Sequence, residues 1–174
     1  MFEGEVLWRP NIGSDGIQRG SIGYDIVPHV FNQDISNWDV SNVRKMDYMF
    51  SYNSKFNQDI SSWDVSNVRY MNGMFQGNEY YGVVTSFNQP IGNWDVSKVF
   101  GMGSMFSSSV FNQDISNWDV SNADYMAIMF KNNKVFNQNL SSWDVSNVNS
   151  CGSFSDNATS WSLPKPNFIL CNPD

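Results

Sequence analysis

The chain has 174 residues, with 17 acidic and 10 basic side chains and a formal charge of −7. That length suffices for one domain with a sizeable core, and the acidic balance argues against nucleic acid or an anionic membrane as main partner, since both need clustered Lys and Arg. Charged and aromatic residues each make up 16%, the opposite of a disordered chain's balance, and no apolar run approaches the ~18–20 residues of a membrane-spanning helix.

In chain order, residues 1–30 contain Gly13, Gly16, Gly20 and Gly23 but no repeat, and are expected to form an N-terminal cap. Met1 to Pro10 shows no basic stretch followed by an apolar core, so no signal peptide is expected there. Phe-Asn-Gln then opens five units, at Phe31, Phe56, Phe87, Phe111 and Phe136, at intervals of 25, 31, 24 and 25 residues. Each unit reads F-N-Q-x-I/L-x-x-W-D-V-S-x-V/A. Five of the seven tryptophans (Trp38, Trp63, Trp94, Trp118, Trp143) hold one place in it. Eight of the nine methionines form M-x-x-M pairs: Met46/Met49, Met71/Met74, Met102/Met105 and Met126/Met129.

The period changes inside each unit. The I-x-x-W-x-V spacing of Ile35, Trp38 and Val40 predicts a short strand, with Asp39 on the face opposite Trp38 and Val40. Val43, Met46, Met49 and Phe50 recur at three- and four-residue steps, which predicts a short helix with Ser41 as its N-cap. No unit can bury its own apolar residues, so five are expected to stack ~4.8 Å apart into a continuous core. The expected fold is an α/β, right-handed, leucine-rich-repeat-like solenoid. It forms a single domain over 1–174: cap 1–30, five coils over 31–155, each with one short parallel strand and one short helix, and cap 156–174. In the fifth unit Cys151 and Phe154 stand in for the Met pair, and Pro164 and Pro166 end the pattern. A Cys151–Cys171 disulfide would pin the tail over the last coil, worth ~3 kcal/mol at most. Two free buried thiols are the alternative.

The units F-N-Q-D-I-S-x-W-D-V-S-N-V…M-x-x-M-F resemble the surface-protein repeats of the BspA-like leucine-rich-repeat group. They are most similar to the short repeat of Listeria and Mycoplasma surface lipoproteins. The match covers residues 31–155, and T-S-W-S-L-P-K-P-N-F resembles that family's end cap. The resemblance implies a scaffold, mostly of surface or adhesion proteins, and brings no catalytic residues. The chain departs from the family in showing no signal peptide, lipobox or wall anchor. A virion component, which reaches the outside by assembly, needs none of these.

Candidate binding residues follow from the repeat. Asp39, Asp64, Asp95, Asp119 and Asp144 lie between a core Trp and a core Val and should project outward. Neighbours ~4.8 Å apart repel by roughly 0.9 kcal/mol even in water, so something must offset that cost. Hydrogen bonds between coils, a polar binding face, or calcium along the ladder are the three possibilities. The last is the weakest, since calcium wants 6–8 oxygens and no calcium loop is present. The second unit is six residues longer than 25, and the excess falls in Gly77–Ser86. Insertions of this kind often mark the binding face. Tyr80 and Tyr81 would be contact hot spots there, unless they fold back onto neighbouring coils. The Trp and Met positions read as core.

Catalysis is not expected. His29 is the one histidine, no nucleophile–base arrangement is recognisable, and there is neither a P-loop nor a dinucleotide fingerprint. Asp34, Asp59 and Asp114 repeat with the coil as structural residues do. No cofactor and no metal site are expected. The function read from the sequence is a surface-exposed, extracellular recognition or adhesion module for protein or glycan. The alternative is a structural component of a larger homo- or hetero-assembly, such as a virion decoration or fibre protein. Ice or mineral binding is a weaker idea, because threonine ladders are missing.

Overall fold

The computed structural model describes residues 6–8, 24–26 and 29–174. Two strands, β1 (Val6–Trp8) and β2 (Tyr24–Ile26), pair antiparallel, with Leu7 opposite Asp25. The rest of the expected N-terminal cap, with its four glycines, lies outside the described residues.

From Phe31 onward the five units stack in sequence order. Isolated parallel bridges join Lys45 to Tyr70, Tyr70 to Gly101, Gly101 to Tyr125 and Tyr125 to Ser150, so each coil lies beside the next in the same register. The expected α/β solenoid, with a strand and a helix in every coil, is not what forms. Among the described residues there is no helix, and the two short strands both precede the repeats.

The reason lies in where the N–H groups of the Met segment go. A helix would send each one back four residues. Here Met46, Tyr48, Phe50 and Tyr52 donate across to Tyr70, Asn72, Met74 and Gln76 of the next coil, at 2.8–2.9 Å. The N–H groups of Met49 and Ser51 close tight turns onto Met46 and Tyr48. Tyr48, Tyr52, Ser104, Ser108, Ile128, Asn132, Ser153 and Asn157 accordingly adopt left-handed backbone, with φ between 50° and 64°. A helix cannot pass through such residues. A chain of turns with every second N–H turned sideways also buries residues at three- and four-residue steps, so it shows the helical sequence period.

The expected strand is likewise two turns. Trp38 N–H donates to Ile35 O at 3.1 Å and Val43 N–H to Val40 O at 2.8 Å, and the other coils repeat both bonds.

The core is an aromatic double column. The opening phenylalanines stack coil on coil (Phe56–Phe87 5.9 Å, Phe87–Phe111 6.2 Å between ring centroids). Phe50, Phe75, Phe106 and Phe130 form a second column at 5.6–5.9 Å. The two columns meet face to face, as in Phe75–Phe87 at 3.9 Å. Each fully buried Phe contributes roughly 1.5–3 kcal/mol by burial, and an aromatic pair adds about 0.5–1.5 kcal/mol.

The tail closes the last coil as expected. Cys151 and Cys171 are disulfide-bonded, with Cα atoms 5.9 Å apart. Trp161 packs edge-on against Phe136, and Phe168 against Phe154.

Candidate functional site

The Phe-Asn-Gln side of the stack has few backbone bonds between coils, and side chains replace them. Asn32 Oδ1 accepts the N–H of Asn57, Asn57 that of Asn88, Asn88 that of Asn112 and Asn112 that of Asn137, at 2.8–3.0 Å. The ladder ends where Asn137 Oδ1 accepts Ser162 and Leu163 N–H in the tail. Gln58, Gln89 and Gln138 reach back to the backbone carbonyl of the preceding coil's Asn. The indole N–H groups of Trp63, Trp94, Trp118 and Trp143 donate to Ile35, Ile60, Ile91 and Ile115 carbonyls at 3.0–3.2 Å. The tryptophans are therefore staples as well as core. Trp38, at the start of the stack, is 46% exposed and makes no such bond among the described residues.

The aspartate ladder is exposed, and each member is held within its own coil. Asp39, Asp64, Asp95, Asp119 and Asp144 each accept the N–H of the serine two residues on, at 3.0–3.1 Å. The Ser41, Ser97 and Ser121 hydroxyls add bonds of 2.6 Å. These Ser donors, hydroxyl first and backbone second, hold the carboxyls of Asp39, Asp64, Asp119 and Asp144 below the ordinary aspartate range. They also offset the repulsion between Asp39 and Asp64. The bonds that cross between coils here come from Asn67, Asn122 and Asn147, whose amides donate to the Ser41, Ser97 and Ser121 carbonyls at 2.7–2.9 Å.

Asp34, Asp59 and Asp114 cap a second turn in the same way, and Asn139 takes their place in the fifth coil. In the third coil Pro90 replaces the aspartate, and Gly92 follows because the Asp114 carbonyl oxygen occupies the space of a Cβ. Among the described residues no three His, Cys, Asp or Glu side chains gather in a set that would hold a metal ion.

The insertion folds into a tight hairpin. Asn78 and Val83 exchange backbone bonds of 2.6 and 2.8 Å, and Gly82 takes φ +67° to close the turn. Tyr80 stands out at the tip, 88% exposed, with Tyr81 edge-on to it at 4.8 Å. Beside the hairpin lies a groove of about 180 Å³, floored by Val84, Val110 and Val135 and bordered by Ser108 and Asn132. Glu79 and Lys134 pair across its rim at 3.6 Å. Tyr80 and Tyr81 are thus displayed rather than folded back, and no member of the aspartate ladder lines the groove.

A further cluster lies on the Met side of coils one to four: the exposed Arg44, Lys45, Arg69, Tyr70 and Tyr125, with the half-buried Phe100 among them. Its signal was available. In a chain that repeats so strictly, the outer positions between the core residues vary from coil to coil, so the scaffold does not dictate them.

No helix among the described residues is long and apolar enough to cross a membrane. No curated protein and no solved structure matches the chain. A family model described as Mycoplasma protein of unknown function, DUF285, matches residues 27–82 and 78–168, which together span all five repeats, and the chain belongs to that family.

Proposed function

We propose that the chain is a non-catalytic recognition module, displayed at a cell or particle surface, that binds protein or glycan through the Tyr80–Tyr81 hairpin. One observation carries this reading. A nearly fully exposed tyrosine sits on a backbone-paired hairpin, beside an apolar groove with an ion pair on its rim. Rigid aromatic side chains next to a pocket are the usual anchors of recognition surfaces. The resemblance of the repeats to BspA-like surface proteins supports the same placement, outside the cell. The test is a printed array of extracellular-matrix proteins and glycans, probed with the wild-type chain and with a Tyr80→Ala/Tyr81→Ala variant. Signals that fall about thirtyfold or more in the variant are expected for a hot-spot pair. Undiminished signals, or none for the wild type, overturn it.

A second reading, a structural component of an assembly, has its own observation. Ile169 and Leu170 are largely exposed on the end cap, with Leu163 half-exposed in the same segment. Light scattering decides it. A mass that grows with concentration, and returns to the monomer in Ile169→Ser/Leu170→Ser, favours assembly over recognition by a free monomer.

A further inference from the structure

We infer that the Met side of coils one to four carries a second binding site, for a glycan bearing carboxylates, formed by Arg44, Lys45, Arg69, Tyr70, Phe100 and Tyr125. The register places it. Tyr70 and Tyr125 hold the same position in coils two and four, with Gly101 between them in the bridge ladder. They are therefore two coil spacings apart, ~10 Å. Both rings are exposed, and between them lies Gly101, buried beneath the Asn72 side chain, whose amide occupies the space a Cβ would take. Phe100 lies beside Tyr70 at 6.3 Å. The Tyr125 ring lies across Gly103, in the space a Cβ there would take. Two exposed rings, Tyr70 and Tyr125, with the half-buried Phe100 beside the first, suit the C–H faces of successive pyranose units, each ring offering an apolar, electron-rich surface.

The charge sets the ligand's class. Three of the chain's ten Lys and Arg side chains gather at the coil-one end of this strip, on a chain whose net charge is −7. Arg44 and Arg69 stack in register, Arg69 N–H donating to Arg44 O at 2.9 Å. The Arg69 guanidinium lies 5.8 Å from the Phe100 ring centre, and the Lys45 ammonium 5.4 Å from that of Tyr70. None of the three cations forms an ion pair among the described residues. Neighbouring like charges without a carboxylate partner are suited to an incoming anion, and a guanidinium fork matches a carboxylate in particular. A single-stranded nucleic acid would also use rings and arginines, but it carries a phosphate on every nucleotide. Here the charge ends at coil two and turns acidic at Asp124, so a sparsely charged sugar chain fits better.

The site shares no residue with the hairpin or its groove, so either can fail alone. The experiment is calorimetric titration of the full chain with a galacturonic acid hexamer, against cellohexaose and a six-residue oligothymidylate as comparison ligands. The galacturonate hexamer is expected to bind. Arg69→Ala and Tyr70→Ala/Tyr125→Ala should each weaken it about tenfold or more, and Tyr80→Ala should leave it unchanged. About 0.5 M salt should weaken it as well, because the charges are exposed. These side chains lie on the surface, and unchanged melting curves of the variants exclude misfolding as the cause. Absence of galacturonate binding, equal binding by Tyr70→Ala/Tyr125→Ala, or tighter binding of the oligothymidylate each overturns the assignment, while the Tyr80 array decides the hairpin separately.

Discussion

The two sides of each coil are held to their neighbours by different chemistry. On the Met side the backbone does the joining: Met102, Ser104, Phe106 and Ser108 donate N–H to Tyr125, Ala127, Met129 and Lys131 at 2.8–2.9 Å. On the Phe-Asn-Gln side the joining groups are an asparagine amide, a glutamine amide and an indole. Backbone is the same whatever the residue, so only the inward positions of the Met side are constrained. Its outer positions read Arg-Lys, Arg-Tyr, Phe-Gly, Asp-Tyr and Asn-Ser along the stack. A side that depends on particular side chains must repeat them, and Phe-Asn-Gln and Trp-Asp-Val-Ser do so in every coil. Variation, and with it the room for specific recognition, is greatest on the backbone-held side and in the insertion.

The core is common to both sides, and removing part of it should have the largest effect. Phe111 is fully buried and stacks on Phe106 at 4.0 Å and on Phe87 at 6.2 Å. Phe111→Ala is expected to cost about 3–5 kcal/mol, read as a lowered urea midpoint. A cost near 1 kcal/mol would mean that the two columns do not act as one core.

The comparison itself is tested by a pair of substitutions one coil's length or less apart. Asn112→Ala removes the acceptor for Asn137 N–H and a partner of Gln138, and should cost about 1–3 kcal/mol by leaving partly buried donors unsatisfied. Ser104→Ala, on the backbone-held side, removes no bond between coils, because the Ser104 N–H still reaches Ala127 O. It should stay within about 0.5 kcal/mol. Equal costs in denaturant melts would erase the distinction.

A smaller effect, of opposite sign, is expected at Ile128. It is a β-branched residue at φ 64°, on the surface of the backbone-held side. Left-handed backbone costs a residue with a Cβ roughly 1–2 kcal/mol, and asparagine tolerates it better. Ile128→Asn should therefore raise the melting temperature by a few degrees, corresponding to about 0.5–1 kcal/mol. A drop would show that the Ile side chain contributes packing that outweighs the backbone strain.

Much of this was legible in the sequence and some was not, for definite reasons. The registration of Phe31, Trp38, Met46 and their counterparts identified the units and, Trp38 apart, most of the inward residues, and the position of two cysteines near the C-terminus pointed to the disulfide. The helix was misread because Val43, Met46, Met49 and Phe50 have the spacing that a chain of turns shares with a helix. Periodicity reports which residues face inward, not where the N–H groups go. The strand failed for a related reason: Ile35 and Val40 are buried across turns, not across an extended backbone. The asparagine ladder was visible as repetition but was read only as a marker. A polar residue kept in every coil is a statement about hydrogen bonds, and Asn32 to Asn137 supply the bonds that a sheet would have supplied. Tyr80 stands out in the sequence because an insertion interrupts the period, whereas Arg44, Lys45, Arg69, Tyr70 and Phe100 stand out only as outer positions that vary from coil to coil.

The last difference is in response to pH, and it belongs to the side-chain-held side. The carboxyls of Asp34, Asp59 and Asp114 lie below their ordinary range through bonds from Ser36, Ser61 and Ser116. A carboxylate whose folded pKa is depressed adds stability above the unfolded pKa of about 3.9, and that contribution is lost as pH falls through the folded value. The chain should therefore melt progressively lower from about pH 5 downward. Asn139 shows how to remove this dependence without removing the turn, since its Oδ1 accepts Ser141 N–H at 3.1 Å and the Ser141 hydroxyl at 2.8 Å. A triple variant, Asp34→Asn/Asp59→Asn/Asp114→Asn, should fold as before at neutral pH and lose less of its melting temperature in acid. The effect will be small, because all three carboxyls face water and solvent screens them. If the variant's acid slope equals that of the wild type, the turns are held by backbone geometry alone and the charge of these aspartates is incidental to the fold.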